Sequence, residues 1–223
     1  MNEESKSRLS NDSLEEKDFS FDASFGTFST QEEIFDDTKM LIQSALDGYN
    51  VCIFAYGQTG SGKTFTMQGT AEQPGIVPRA IEELYRHKAR MERNGQFTVS
   101  MECYMVQLYV DNLIDCFYPG GGNSALKAKL EIREDHKTGM IGIHNSTIKQ
   151  IKSLEEAFST FEFGAKSRKV SSTEMNDESS RSHLIFAIII STLNNETKEK
   201  TKSKISFVDL AGSERYDKQN AIV

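Results

Sequence analysis

The chain has few of the residues that mark disulfide-bonded, zinc-binding or membrane proteins. Its 223 residues include three cysteines, three prolines and no tryptophan. The cysteines lie far apart and form no C-x-x-C pair, which argues against a disulfide framework or a thiolate zinc site. The longest apolar run, residues 184–190, is seven residues long, whereas a membrane-spanning helix needs roughly 18 or more. The polar N-terminus has no signal-peptide core, so we predict a cytoplasmic protein without a membrane partner.

The charge is concentrated at one end of the chain. The whole sequence has 33 acidic and 26 basic residues, a net charge of −7. Residues 1–37 contain 11 of the acidic and 3 of the basic side chains, so the remainder is almost neutral. We predict that residues 1–18 form an acidic, disordered tail and that residues 19–223 form one folded domain. The acidic composition gives no indication of a nucleic-acid partner.

Apolar runs separated by amphipathic segments predict an α/β fold. The run at residues 51–56 is typical of a strand buried on both faces, as in a parallel sheet, and residues 184–190 and 205–208 predict two more buried strands. Ser29 and Glu32 have capping-box spacing and predict the start of a helix. A second helix is predicted from Leu154 to Phe163.

A glycine-rich segment follows the first of these strands. The letters GQTGSGKT match the phosphate-loop pattern G-x-x-x-x-G-K-[ST], and a helix is predicted to follow. Backbone N–H groups in such a loop surround phosphate oxygens, the lysine reaches the β- and γ-phosphates, and the final hydroxyl binds Mg²⁺. The predicted nucleotide-binding residues here are Gly57, Gln58, Thr59, Gly60, Ser61, Gly62, Lys63 and Thr64.

Two further motifs fit the same chemistry. DLAGSE begins at Asp209, directly after a predicted buried strand, where phosphate-loop enzymes hold a carboxylate toward Mg²⁺. Gly212 in that motif can offer a backbone N–H to a γ-phosphate. NDESSRSH at residues 176–183 supplies serine and arginine side chains suited to γ-phosphate and Mg²⁺. Taken alone, either motif also fits a capped or solvated turn.

Together the three motifs resemble the kinesin motor domain. They occur in that family's order, as phosphate loop, switch I (residues 176–183) and switch II (residues 209–214). The preceding LDGYNVCIFAY is also similar to the family's sequence, and the resemblance covers about residues 19–215. Residues 45–67 and 104–111, with Met175–Asn176 and residues 182–185, are most similar to the kinesin-14 group, in particular its calmodulin-binding members.

The resemblance implies an ATPase that uses Mg²⁺ and acts on microtubules in the cytoplasm as part of the cytoskeleton. It implies a phosphate-loop fold with a mostly parallel central sheet and helices on both faces. Thr64 and Ser180 would approach Mg²⁺, with Asp209 acting through a water. The implied catalytic residues are Ser180, Arg181, Gly212 and Glu214, with Arg181 pairing with Glu214, and Asn176 and Ser179 are implied to bind nucleotide. A calmodulin partner would bind a region outside this sequence.

The sequence also departs from the family pattern. No R-x-R-P-like segment precedes residue 19, and the sequence ends shortly after switch II. We therefore expect a motor domain that is incomplete at both ends, with the strand at residues 51–56 exposing an apolar edge. Besides an ATP-hydrolysing motor core, a non-motile nucleotide-binding module or an inactive motor fragment stays open as an alternative. An unrelated phosphate-loop enzyme is a third.

Overall fold

A computed structural model of the chain describes residues 19–118, 128–136, 138–172 and 178–214. The predicted acidic tail, residues 1–18, lies outside these ranges. The helices are α1 (Gln31–Leu46), α2 (Lys63–Met67), α3 (Ile76–Glu92) and α4 (Leu154–Ser172), with a 3₁₀ helix at Glu178–Arg181. The strands are β1 (Val51–Ala55), β2 (Phe97–Tyr109), β3 (Asn112–Asp115), β4 (Glu131–Asp135), β5 (Met140–His144), β6 (Lys149–Gln150), β7 (Ser182–Asn194) and β8 (Lys200–Asp209).

Helix α1 begins one residue later than the capping-box spacing predicts. Thr30 is the N-cap: its hydroxyl accepts the Glu33 N–H at 3.2 Å, and the Glu33 carboxylate accepts the Thr30 N–H at 2.8 Å. Ser29 instead accepts the Gly26 N–H at 3.0 Å and closes the preceding turn. Ser29–Glu32 and Thr30–Glu33 have the same spacing, so the sequence pattern alone does not choose between them.

The strands form a six-stranded sheet in the order β1-β8-β7-β2-β3, and β6 also pairs with β2. Strands β1 and β8 are parallel, whereas β8 with β7, and β2 with each of its three partners, are antiparallel. The predicted mostly parallel sheet is therefore wrong for the described strands. Residues 195–199 connect β7 to β8, and so short a connection permits only an antiparallel pair. The apolar runs of β7 and β8 reflect burial on both faces rather than parallel direction.

Helices cover one face of the sheet. Helices α1, α3 and α4 pack there in one apolar cluster, whose fully buried members include Ile42, Ile81, Leu84, Met105, Ile188 and Ile205. On the opposite face, β2 and β7 pack against Leu130 and against Ile143 of the β4–β5 hairpin. Among the described residues, helices thus lie on one face, and the prediction of helices on both is wrong there. The α/β class is confirmed.

Strand β1 lies at an edge of the sheet and, within the described ranges, pairs with β8 alone. Only Ile53 of its five residues is buried, and Phe54 is 62% exposed. The expected apolar edge strand is confirmed, although the strand is not buried on both faces as its sequence predicts. No helix in the described part of the chain is both long enough and apolar enough to cross a membrane.

Candidate nucleotide-binding site

The glycine-rich segment forms a loop between β1 and α2. Gly60 has a φ of +80° and Gly62 a φ of +93°, which lie in the left-handed region that glycine adopts at little cost. Gly62 is also the N-cap of α2, and the next two residues are Lys63 and Thr64. The loop therefore turns tightly at the carboxyl end of a strand, as a phosphate-binding loop requires.

Switch II packs directly against this loop. The Glu214 carboxylate accepts the Thr59 N–H at 2.9 Å and also bonds to the Thr59 hydroxyl. The Ser213 N–H donates to the carbonyl of Gly57 at 3.1 Å. The Lys63 ammonium donates to two loop carbonyls, those of Gly57 at 2.9 Å and Gln58 at 2.8 Å. These contacts hold the lysine beside the position that phosphates occupy in such loops.

Asp209 lies where the loop, switch II and α4 meet. Asp209 is 4% exposed. The Oδ2 atom of its carboxylate accepts two hydrogen bonds. One comes from the Thr64 hydroxyl at 2.8 Å and the other from Nη1 of Arg168 at 2.7 Å. The other oxygen, Oδ1, is buried and has no hydrogen-bond partner within the described residues. A buried carboxylate oxygen in this state is ready to accept a further donor.

The residues fit a magnesium ion held by a nucleotide. The Thr64 hydroxyl donates its hydrogen bond to Asp209, so its lone pairs stay available to a cation, and Asp209 Oδ1 can accept from a metal-bound water. No group of three or more histidine, cysteine, aspartate or glutamate side chains among the described residues could hold a metal ion. The remaining oxygen ligands would come from phosphates and water, as is usual for Mg²⁺.

A cavity of about 320 Å³ joins these groups. Its lining residues are Thr59, Gly60, Gly62, Lys63, Thr64, Phe65, Arg168, Ser180, Asp209, Leu210 and Gly212. The Gly212 N–H donates to the carbonyl of Ser180 at 2.8 Å, which brings switch I and switch II together. A Cβ at Gly212 would overlap the Thr59 hydroxyl and the Glu214 carboxylate, so a larger residue there would have to displace the contact between Thr59 and Glu214.

The structure brings most predicted site residues to this cavity or its rim. Gly57, Gln58 and Ser61 lie in the loop next to it. Arg181 is exposed at the end of the 3₁₀ helix, and its pairing with Glu214 stays a prediction. Asn176 lies outside the described residues. Ser179 belongs to the 3₁₀ helix, but its side chain is outside the described part.

Sequence reasoning missed Arg168. The residue lies 41 positions before Asp209 and belongs to none of the three motifs. One signal was available, since Ala157, Phe161, Gly164 and Arg168 are spaced by three or four residues and all lie on the buried side of α4. An arginine on an apolar helical stripe is unusual unless it is paired. His183, the last residue of switch I, also contacts switch II, because its Nδ1 accepts the Ala211 N–H at 3.0 Å.

Comparison with known proteins identifies the family. A family model described as "Kinesin motor domain" matches residues 1–222. The chain belongs to the kinesin motor-domain family. It is 49% identical to the kinesin-like protein KIN-14E of Arabidopsis thaliana over 90% of this chain and 16% of the relative. It is 40% identical to the kinesin-like protein klpA of Emericella nidulans over 98% of this chain and 28% of the relative.

Solved kinesin motor structures share the fold. The C-terminal motor domain of Kar3 from Candida glabrata matches with 37% identity and a TM-score of 0.71, covering 84% of this chain and 56% of that one. A structure described as a fast kinesin matches with 31% identity and a TM-score of 0.82, and the match covers 92% of this chain and 56% of that one. The chain therefore spans little more than half of the solved kinesin motors that it matches. Relatives named KIN-14 confirm the predicted similarity to the kinesin-14 group.

Proposed function

We propose that this chain binds ATP with Mg²⁺ and hydrolyses it as the nucleotide-binding core of a microtubule-based kinesin-14 motor. The observation that carries the proposal is the Asp209 carboxylate, which accepts the Thr64 hydroxyl of the phosphate loop in a cavity that switch I and switch II also line. Phosphoryl transfer needs this combination of phosphate cradle, metal-directed carboxylate and γ-phosphate sensor. The choice of ATP over GTP rests on the family.

The chain's own residues act by positioning and by charge neutralisation. Lys63 exchanges its two loop carbonyls for phosphate oxygens, and the N–H groups of the loop bind the remaining oxygens. Thr64 and Ser180 offer hydroxyls to Mg²⁺, which when bound neutralises charge on the β- and γ-phosphates. Gly212 exchanges the Ser180 carbonyl for the γ-phosphate as the acceptor of its N–H, while Arg181 and Glu214 place the attacking water. Glu214 must leave Thr59 for that step, so nucleotide binding and switch II movement are coupled.

The partner in this proposal is the microtubule, and the location is the cytoplasmic cytoskeleton. Both rest on the similarity to kinesin-like proteins and to solved kinesin motors. Calmodulin is a finer proposal that rests on the resemblance to calmodulin-binding kinesin-14 members alone. The alternative is a module that binds nucleotide but whose turnover microtubules do not stimulate. This alternative stands beside the motor core because the chain spans 56% of the solved Kar3 motor domain.

The test combines nucleotide binding with turnover. We expect the purified chain to bind a fluorescent ATP analogue with Mg²⁺ and to release phosphate faster when microtubules are added. Replacing Lys63 by alanine removes the phosphate-directed cation and should weaken nucleotide binding roughly 100-fold, the scale of a lost charge-assisted contact. Lys202→Ala, an exposed lysine in β8, is the matched control and should bind like wild type.

The outcomes separate the candidate functions. Binding with microtubule-stimulated turnover supports the motor core. Binding with turnover that microtubules leave unchanged supports the nucleotide-binding module. If wild type and Lys63→Ala bind the analogue equally, the phosphate loop is not the binding site and the proposal is wrong.

A further inference from the structure

We propose that Arg168 is a positioning residue that fixes the Asp209 carboxylate for Mg²⁺ and balances its charge when no metal is bound. The inference rests on the proposed nucleotide site and deepens it, since Arg168 belongs to none of the three sequence motifs. It assigns to α4 an indirect role in metal binding, because Arg168 would act through Asp209 and would not touch the metal.

The guanidinium is fixed at two points. Arg168 is 6% exposed, and its Nη1 donates to Asp209 Oδ2 at 2.7 Å while its Nη2 donates to the carbonyl of Ser182 at 3.1 Å. Ser182 is the first residue of β7 and Asp209 the last of β8, and the two neighbouring strands are antiparallel. Arg168 therefore spans the two strand ends at which switch I finishes and switch II begins.

The two carboxylate oxygens of Asp209 have different environments. Oδ2 accepts from Arg168 and from the Thr64 hydroxyl, two donors that approach from different elements. Oδ1 is buried, and no described residue gives it a hydrogen bond. Rotating the carboxylate would break two hydrogen bonds to Oδ2, so the donors hold Oδ1 in one direction. A metal-bound water can then find its acceptor already in place, and binding requires no side-chain reorganisation.

The charge balance supports the same role. A buried carboxylate without a cation is strongly disfavoured, because neither water nor a counter-charge compensates it. Arg168 provides that counter-charge permanently, with side chains that are 7% exposed for the arginine and 4% for the aspartate. The carboxylate is thus kept oriented and paired with a counter-charge between metal-binding events. Arginine suits the position better than lysine because its planar fork can donate to two fixed acceptors at once.

The decisive experiment measures the metal dependence of nucleotide retention in the full chain. A fluorescent ADP analogue is bound, free Mg²⁺ is buffered over a range of concentrations, and the rate of analogue release is recorded. Arg168→Lys keeps the charge but loses the second donor. We expect the Mg²⁺ concentration for half-maximal retention to rise at least fivefold, while release at saturating Mg²⁺ stays within twofold of wild type.

Two further variants make the result specific. Arg168→Gln keeps a donor without the charge and should shift the metal dependence further than Arg168→Lys. Lys166→Gln is the matched control: it lies on the same helix with a side chain that is 76% exposed and 3.6 Å from Glu162. This control should have the metal dependence of wild type. Thermal unfolding monitored by circular dichroism establishes that each variant is folded.

Each outcome bears on a different claim. A folded Arg168→Lys variant with unchanged metal dependence would show that the arginine is only structural, which overturns the inference. A shift to lower Mg²⁺ would show that Arg168 competes with the metal, which also overturns it. If wild type itself retains the analogue independently of Mg²⁺, the proposed function fails, and the inference fails with it. A selective shift to higher Mg²⁺ supports both.

Discussion

Strands β7 and β8 have two ends that are built differently. At the nucleotide end, carboxylates bind across elements, and the buried Asp209 Oδ1 has no hydrogen-bond partner among the described residues. At the hairpin end, side chains bond to the turn's own backbone: Asn194 Oδ1 accepts the N–H groups of Glu196 at 2.9 Å and Thr197 at 3.1 Å, and the Lys198 ammonium donates to the carbonyl of Asn195 at 2.6 Å. The nucleotide end therefore keeps an acceptor available for a ligand, whereas the polar side chains of the hairpin end are used in hydrogen bonds to the backbone of the turn.

This difference has an energetic consequence. Buried ionised groups are costly to leave without a partner, whereas exposed polar groups fall back on water. A substitution at the nucleotide end should therefore change both stability and nucleotide binding. A substitution at the hairpin end should change stability by a small amount and leave nucleotide binding as it is.

The largest effect is expected for Asp209→Ala. The variant leaves the buried Arg168 guanidinium without its carboxylate, which should lower the free energy of unfolding by about 3–5 kcal/mol. Urea denaturation followed by circular dichroism measures this change. The double variant Asp209→Ala/Arg168→Met removes both charges and should recover most of the loss. A decrease of less than about 1 kcal/mol in Asp209→Ala would contradict the view that the nucleotide end depends on this ion pair.

The nucleotide end was also the part most accessible to sequence reasoning, but only where its residues are contiguous. The loop at residues 57–64 carries a local pattern with one chemical meaning, and the motif beginning at Asp209 gains its meaning from occurring together with that loop. Arg168 reaches Asp209 across 41 positions from within a helix. Its place on the buried stripe of α4 indicates a paired arginine but does not identify the partner, so the contact with Asp209 became visible only in three dimensions.

In the fold, too, the sequence predicted where strands lie but not which strands pair with each other. Apolar content located β1, β7 and β8, although only Ile53 of β1 is buried. It does not report which neighbour a strand pairs with, so the antiparallel pairs of β2, β7 and β8 were missed. Helix α4 runs to Ser172, beyond the predicted end at Phe163. The prediction stopped early because the later buried positions of the helix include Gly164 and Arg168 rather than large apolar residues.

A smaller effect is expected for Asn195→Ala at the hairpin end. The Asn195 side-chain amide donates to the carbonyl of Gly95 at 2.7 Å and to the Thr98 hydroxyl at 3.1 Å. Losing these bonds at an exposed turn should lower the free energy of unfolding by about 1 kcal/mol, measured by urea denaturation. Affinity for a fluorescent nucleotide should stay within twofold of wild type. A clear loss of nucleotide affinity would mean that the hairpin end affects the nucleotide site, and it would contradict the expectation that the two ends of β7 and β8 act independently.

The smallest effect is expected for Glu92→Gln, and it should depend on pH. Glu92 Oε1 accepts the Lys88 ammonium at 2.5 Å and the Val99 N–H at 2.8 Å, which ties α3 to β2 at the hairpin end. Burial acts to raise the pKa of Glu92, but the bonds from Lys88 and Val99 outweigh it, so the pKa is lowered overall. Stability from this carboxylate is therefore present above the unfolded-state pKa of about 4.3 and is lost as the pH falls through the lowered pKa.

At pH 7 the variant should thus be less stable than wild type by about 0.5–1 kcal/mol, a figure kept small because solvent screens the partly exposed pair. Denaturation curves at pH 7 and pH 3 measure the difference between the two proteins, which should shrink towards zero at the lower pH. Glu196→Gln, an exposed residue in the β7–β8 turn, is the control and should show little difference at either pH. A difference that stays constant with pH would mean that the shape of the Glu92 side chain matters rather than its charge. The ionised contact would then add nothing at the hairpin end, and the contrast between the two ends would be sharper than the structure implies.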